Sequence, residues 1–143
     1  MSEILPNVSC VAMRGRAILV MGPPGSGKSS LALALLDRGG TLVGDDGVTL
    51  ALEDGRVIAS PPPNTEGLIE IRNVGLLDVP TTTGPVALLV NLTTEAERLP
   101  LGHVEAMLLG QPVPQVDLYP DTPALPLRAE AALEMFGLAV ATD

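Results

Sequence analysis

Lys28 is the single lysine of the 143-residue chain, and it stands in Gly22-Pro23-Pro24-Gly25-Ser26-Gly27-Lys28-Ser29. The spacing is that of G-x-x-x-x-G-K-[ST], the glycine-rich loop that cradles nucleotide phosphates. The motif constrains the fold because it works only between a strand and the start of a helix, where main-chain N–H groups converge on an anion. The flanks meet that demand. Val8–Met13 and Arg16–Met21 read as a hairpin about Arg14-Gly15, and the second strand runs straight into the loop. Ser29–Arg38 is rich in the helix formers Leu and Ala and is stopped by Gly39-Gly40. Thr41–Gly44 follows as a short buried strand.

Further along, Val48–Leu52 and Val57–Ser60 form a second hairpin around Glu53-Asp54-Gly55-Arg56. Pro61-Pro62-Pro63-Asn64 and Thr81-Thr82-Thr83-Gly84-Pro85 read as loops, since clustered prolines do not serve an interior strand. Leu68–Arg72 and Gly75–Val79 are short apolar segments of either type, and Val86–Leu92 is a buried strand. The proline-dotted stretch 95–123 carries no clear pattern, and a last helix runs from near Pro126 to Gly137. Strands alternating with helices around the loop give an α/β fold, one domain over residues 1–143.

Composition narrows the function. Trp is absent, and Phe136 and Tyr119 are the only aromatics, so the core must be aliphatic. A net charge of −9 with seven scattered arginines excludes a nucleic-acid or anionic-membrane surface, which needs clustered cations. Cys10 is alone and lies in an apolar run, which points to burial and rules out an internal disulfide. Neither a leader nor a transmembrane stretch is present, so a soluble cytoplasmic protein is expected.

The chemistry centres on the loop. The N–H groups of Gly25, Ser26, Gly27, Lys28, Ser29 and Ser30 would wrap the phosphates of ATP or GTP, with Lys28 on the β and γ oxygens and the Ser29 hydroxyl on Mg²⁺. Asp45-Asp46 closes the strand after the helix, where an ATPase keeps a cation-holding aspartate. From the residues alone an acidic turn fits equally well. Strand alternation would send the two carboxylates to opposite faces, one toward the metal and one toward a nucleophile. The same alternation puts Glu70 and Arg72 on one face with Ile71 buried behind.

Three segments together resemble the HPr kinase/phosphorylase family. They are Gly22–Ser29, Leu42-Val43-Gly44-Asp45-Asp46, and Gly67–Asp78, which matches the family's Glu-Ile-Arg-Gly-Leu-Gly signature with Asn73 for its first glycine. The chain is most similar to the short form of alphaproteobacteria, which consists of the catalytic domain without the N-terminal regulatory domain of longer members. The resemblance covers about residues 5–100. It implies a P-loop NTPase-type domain of the HPr kinase and phosphoenolpyruvate carboxykinase-like fold, using Mg-ATP to phosphorylate a serine of the phosphocarrier protein HPr. Many members also reverse the reaction by phosphorolysis. The resemblance places the catalytic aspartate on Asp46 with Asp45 beside it, a second Mg²⁺ ligand on Glu70, and an arginine near the active-site loop on Arg98. Asn7 stands where the family carries a histidine, and His103 reads as an ordinary surface residue. Long members are hexamers, so a homo-oligomer is open.

Two other functions stand beside this one. An adenylate-kinase-like enzyme acting on a small metabolite or nucleotide would use the same loop but needs an arginine-rich lid, which seven scattered arginines supply poorly. A nucleotide-sensing module that has lost catalysis is the other, and the departures at Asn7 and Asn73 are its support.

Overall fold

The computed structural model describes residues 2–64, 66–120 and 122–140. Its strands are β1 (Ser2–Pro6), β2 (Ser9–Met13), β3 (Arg16–Met21), β4 (Thr41–Gly44), β5 (Gly47–Glu53), β6 (Arg56–Ser60), β7 (Leu68–Ile71), β8 (Gly75–Asp78), β9 (Gly84–Leu92), β10 (Val104–Leu108) and β11 (Gln111–Leu118). Two helices, α1 (Lys28–Asp37) and α2 (Leu125–Phe136), complete the mixed α/β fold.

β2, β3 and β9 are apolar on both faces, and each face therefore needs its own cover. Val11 and Met13, Ile18 and Val20, and Leu88 and Val90 point one way, against Leu31, Ala32 and Leu35 of α1 and Ala129, Ala132 and Leu133 of α2. Their neighbours Cys10, Ala12, Ala17, Leu19 and Leu89 point the other way, against Val48 and Leu50 of β5 and Val57 and Ala59 of β6. Each fully buried aliphatic side chain of this kind stabilises the fold by about 1.5–3 kcal/mol.

The long strand β9 makes the second cover possible. The sheet runs β1-β5-β6-β9-β3-β2-β4. β9 pairs antiparallel with β6 through Gly84 and Pro85, and parallel with β11 through Leu89–Leu92. Along its other edge it pairs parallel with β3. One strand thus serves two strand systems, and the sheet curls so that β1, β5 and β6 fold over its back.

Several sequence expectations need amendment. Residues 2–6 form β1, antiparallel to β5 with Ser2 opposite Ala51 and Pro6 opposite Gly47. Its place at the sheet edge suits a proline. β9 begins at Gly84, two residues before the expected strand, because those residues bind β6. Stretch 95–123 holds the β10–β11 hairpin, joined by Leu109 and Gly110, both at positive φ (48° and 79°). Pro112 and Pro114 hid it from a propensity reading. They fall where β11 pairs with β10, before its pairing with β9 starts at Gln115.

The two segments of uncertain type are a hairpin, β7–β8. Its anchor is Ile69, which is fully buried, whereas Ile71 is half-buried and Arg72 lies in the turn rather than the strand. Asn73 occupies that turn at φ 70°, with Val74 N–H donating to Ile71 O at 2.9 Å. Asparagine tolerates this left-handed conformation better than most residues with a side chain, so it fills the position where the resemblance implies a glycine at little conformational cost. Cys10 is buried as expected, and burial pushes its thiol pKa far up, leaving it inert. Among the described residues no helix is long and apolar enough to cross a membrane.

Because β8 is exposed along its whole length, the hairpin hangs on Ile69. Ile69→Ala is expected to lower unfolding stability by about 2–5 kcal/mol, the usual range for emptying an isoleucine site in a core. Chemical denaturation monitored by circular dichroism measures it.

Candidate active site

β3 and β9 lie parallel, Met21 opposite Asn91, and end at the same edge of the sheet. At that edge Gly22–Gly27 forms the loop between β3 and α1. Gly27 caps the helix at φ 99°, a conformation that disfavours any residue with a Cβ. The first helical bond runs from Leu31 N–H to Gly27 O at 2.9 Å, which leaves the N–H groups of Lys28, Ser29 and Ser30 outside the helical ladder. They form a positive helix terminus of the kind that binds anions.

Lys28 is half-buried, not a fully exposed loop residue. Its ammonium donates to Gly22 O at 2.8 Å and Pro23 O at 3.2 Å, folding the side chain back over the loop. An ammonium has three donors, so one remains for a ligand without breaking either bond. Ser26 is buried, and its Oγ finds no hydrogen-bond partner among the described residues. An unpaired buried hydroxyl calls for an acceptor or donor from outside the chain. Phosphate oxygens would supply it, and on this ground the loop fits a nucleotide.

The acidic pair follows β4. Gly44 is needed there, because a Cβ would collide with Gly47 O across the turn. Asp45 is 5% exposed and is held by three donors. Ser29 Oγ donates to its Oδ1 at 2.7 Å, Ser9 Oγ donates to the same oxygen at 2.8 Å, and Glu70 N–H donates to Oδ2 at 3.1 Å. Asp46 is exposed and adopts φ 63°. The two aspartates therefore differ in environment, one buried among donors and the other exposed, and Asp46 sits in a left-handed turn beyond the strand end rather than in a continuing strand. Asn7 is also at positive φ (62°), and its N–H donates to Asp46 O at 3.2 Å. Asn7, the position at which the resemblance implies a histidine, thus lies beside Asp46 and carries a side chain that does not titrate.

Glu70 reaches this cluster through its main chain, while its carboxylate is exposed. Among the described residues no three His, Cys, Asp or Glu side chains gather as a self-contained metal cage. A hydroxyl and a carboxylate are nonetheless the donor set that Mg²⁺ takes from a protein when phosphates and waters complete its octahedron. Ser29 and Asp45 provide that pair.

Arg98 is not brought to the loop. It is exposed on the segment after β9 and lines a separate cavity of about 770 Å³, between that segment, β11 and α2. His103 lines the same cavity, its ring 5.2 Å from that of Phe136 and its Nε2 3.7 Å from Glu105. Ser9 was missed by sequence reasoning. The signal available was a hydroxyl in the otherwise apolar run Val8–Met13.

Exchanging each aspartate for its amide separates the two environments. Asp45→Asn turns an amide NH₂ toward at least one of three inward donors and is expected to cost about 1–3 kcal/mol of unfolding stability. Asp46→Asn, exposed and at a φ that asparagine accepts, should stay within about 0.5 kcal/mol of wild type. Urea unfolding of the two variants checks both values.

Similarity to known proteins extends along most of the chain. The family model for the HPr serine kinase C-terminal domain matches residues 3–118, from β1 to the end of β11. The HPr kinase/phosphorylase of Clostridium tetani is 32% identical over 76% of this chain, and that of Bordetella petrii 36% identical over 73%. The chain spans 40% and 38% of those two relatives, about two fifths of their length. The solved structure of the Hpr(Ser) kinase/phosphatase from Coxiella burnetii superposes with a TM-score of 0.79 at 30% identity, covering 92% of this chain and 88% of that one.

Proposed function

The chain belongs to the HPr serine kinase C-terminal domain family, and from that premise we propose that it is the catalytic unit of a cytoplasmic protein-serine kinase. Its reaction is transfer of the γ-phosphoryl group of Mg-ATP to a serine of HPr, the phosphocarrier of the phosphotransferase system. The observation that carries the proposal is the 2.7 Å bond from Ser29 to Asp45. It joins the glycine-rich loop to the acidic pair and supports a P-loop NTPase-type domain, in which a hydroxyl and a carboxylate stand together where the phosphates end.

Each residue then has a task. The N–H groups of Lys28, Ser29 and Ser30 bind phosphate oxygens, and Lys28 offsets their charge with its free donor. Ser29 and Asp45 would hold Mg²⁺, with the exposed Glu70 carboxylate on β7 as a further ligand. The ion, when bound, neutralises charge on the β- and γ-phosphates. Asp46 is the base. The serine Oγ forms a bond to the γ-phosphorus as the bond from that phosphorus to the ADP oxygen breaks, and Asp46 takes the serine proton. Burial of Asp45 among donors, against exposure of Asp46, supports this division of labour. Arg98 opens on the separate cavity and takes no part in this step.

Reversal follows the same path. An oxygen of inorganic phosphate forms a bond to the phosphorus of phosphoserine as the bond from that phosphorus to the serine Oγ breaks; protonated Asp46 returns its proton to the departing serine oxygen, and pyrophosphate is the product. The relatives' names record that second activity for those proteins. Asn7 removes the titrating group that the family keeps near Asp46, so transfer from ATP is the dominant direction here.

Mass spectrometry of HPr incubated with the protein and Mg-ATP tests the proposal. Phosphoserine should form with wild type and be absent with Lys28→Ala, whose thermal unfolding midpoint should confirm a folded variant. Asp46→Asn should lower kcat by about 10²–10⁴-fold, the usual contribution of a general base, while keeping ATP binding. Unmodified HPr beside clear ATP binding by wild type would contradict the kinase assignment and favour a nucleotide-sensing module.

A further inference from the structure

Ser9 carries a buried hydroxyl that the reaction above does not use. It lies in β2 at 1% exposure, between Val8 and Cys10. A buried hydroxyl is costly unless it is hydrogen-bonded. This one donates to Asp45 Oδ1 at 2.8 Å, sharing that oxygen with Ser29.

The three donors on Asp45 are not equivalent. Ser29 stands at the helix start inside the phosphate loop, where its hydroxyl also faces a ligand. Glu70 belongs to a hairpin whose second strand is fully exposed. Ser9 comes from a strand hydrogen-bonded on both sides, to β3 and to the edge strand β4. It is the most rigidly mounted of the three. Two residues earlier Asn7 N–H holds the carbonyl of Asp46. Segment 7–9 therefore fixes both aspartates, one through its main chain and one through the Ser9 hydroxyl.

A carboxylate that faces a divalent cation must keep one orientation. Groups that hydrogen-bond to a ligand orient it and tune its affinity. Ser29 cannot do this alone, since its own oxygen turns toward the cation. We propose that Ser9 is a positioning residue for cation binding: its hydroxyl holds Asp45 Oδ1 toward Ser29, so that the carboxylate is already aligned when magnesium nucleotide arrives. The inference rests on the reading of Ser29 and Asp45 as the cation pair.

The test measures binding of a fluorescent ATP analogue during MgCl₂ titration, with affinity in EDTA as reference. Ser9→Ala and Ser9→Val remove the hydroxyl, and Ser9→Thr keeps it at the volume of valine. Ala and Val should raise the magnesium concentration for half-maximal tight binding by about 10–100-fold and leave affinity in EDTA unchanged. Thr should restore the wild-type requirement to within about threefold of its value, so that the Thr–Val difference reports the hydroxyl and not packing. Folded Ala and Val variants with the wild-type requirement overturn the proposal, as does equal impairment of Thr and Val beside an unimpaired Ala. A wild-type protein whose nucleotide binding ignores magnesium would instead sink the assignment of Ser29 and Asp45, and this inference with it.

Discussion

The Asp45 carboxylate is the joint on which the site depends. A buried ionised group is tolerated only when donors satisfy it, and here β2, α1 and β7 each send one. The bonds run both ways as constraints. The helix start bearing the phosphate loop, the central sheet and the signature hairpin are fixed relative to one another because each has a donor on the same two oxygens. Removing the carboxylate would free three elements at once, whereas Asp46, one residue on, makes no side-chain hydrogen bond among the described residues and is available for chemistry.

That joint needs a stiff frame, and the curled sheet supplies it. β3 and β9 are parallel and buried on both faces, between helices on one side and the β1-β5-β6 layer on the other. The loop leaves one end of that frame and the acidic pair closes the turn between β4 and β5. An aliphatic core, nearly free of aromatic rings, suffices because the long strand β9 lets two strand systems share one interior.

Legibility followed locality. The loop, α1 and the hairpin β2–β3 could be read because spacing, helix formers and turn glycines are all properties of short windows. The buried strand β9 was equally plain as the apolar run Val86–Leu92. What escaped was set by partners far along the chain. β1 is an exposed edge strand defined only by pairing with β5, and β11 contains two prolines that are harmless because of where its pairing with β9 begins. Ser9 looked like one polar residue in a core strand, and only the approach of Asp45, 36 positions away, gives it meaning. The resemblance pointed to Asp45, Asp46 and Glu70, but not to the main-chain contact of Glu70 with Asp45, nor to the other cavity on which Arg98 opens.

The central claim is that Asp45 holds the cation and Asp46 handles the proton. Calorimetric binding of ATP with and without Mg²⁺, in Asp45→Asn and Asp46→Asn side by side, tests it most directly. The account predicts that Asp45→Asn loses the magnesium-dependent gain in affinity and that Asp46→Asn keeps it. The reverse pattern, with magnesium-dependent binding intact in Asp45→Asn and lost in Asp46→Asn, would contradict it.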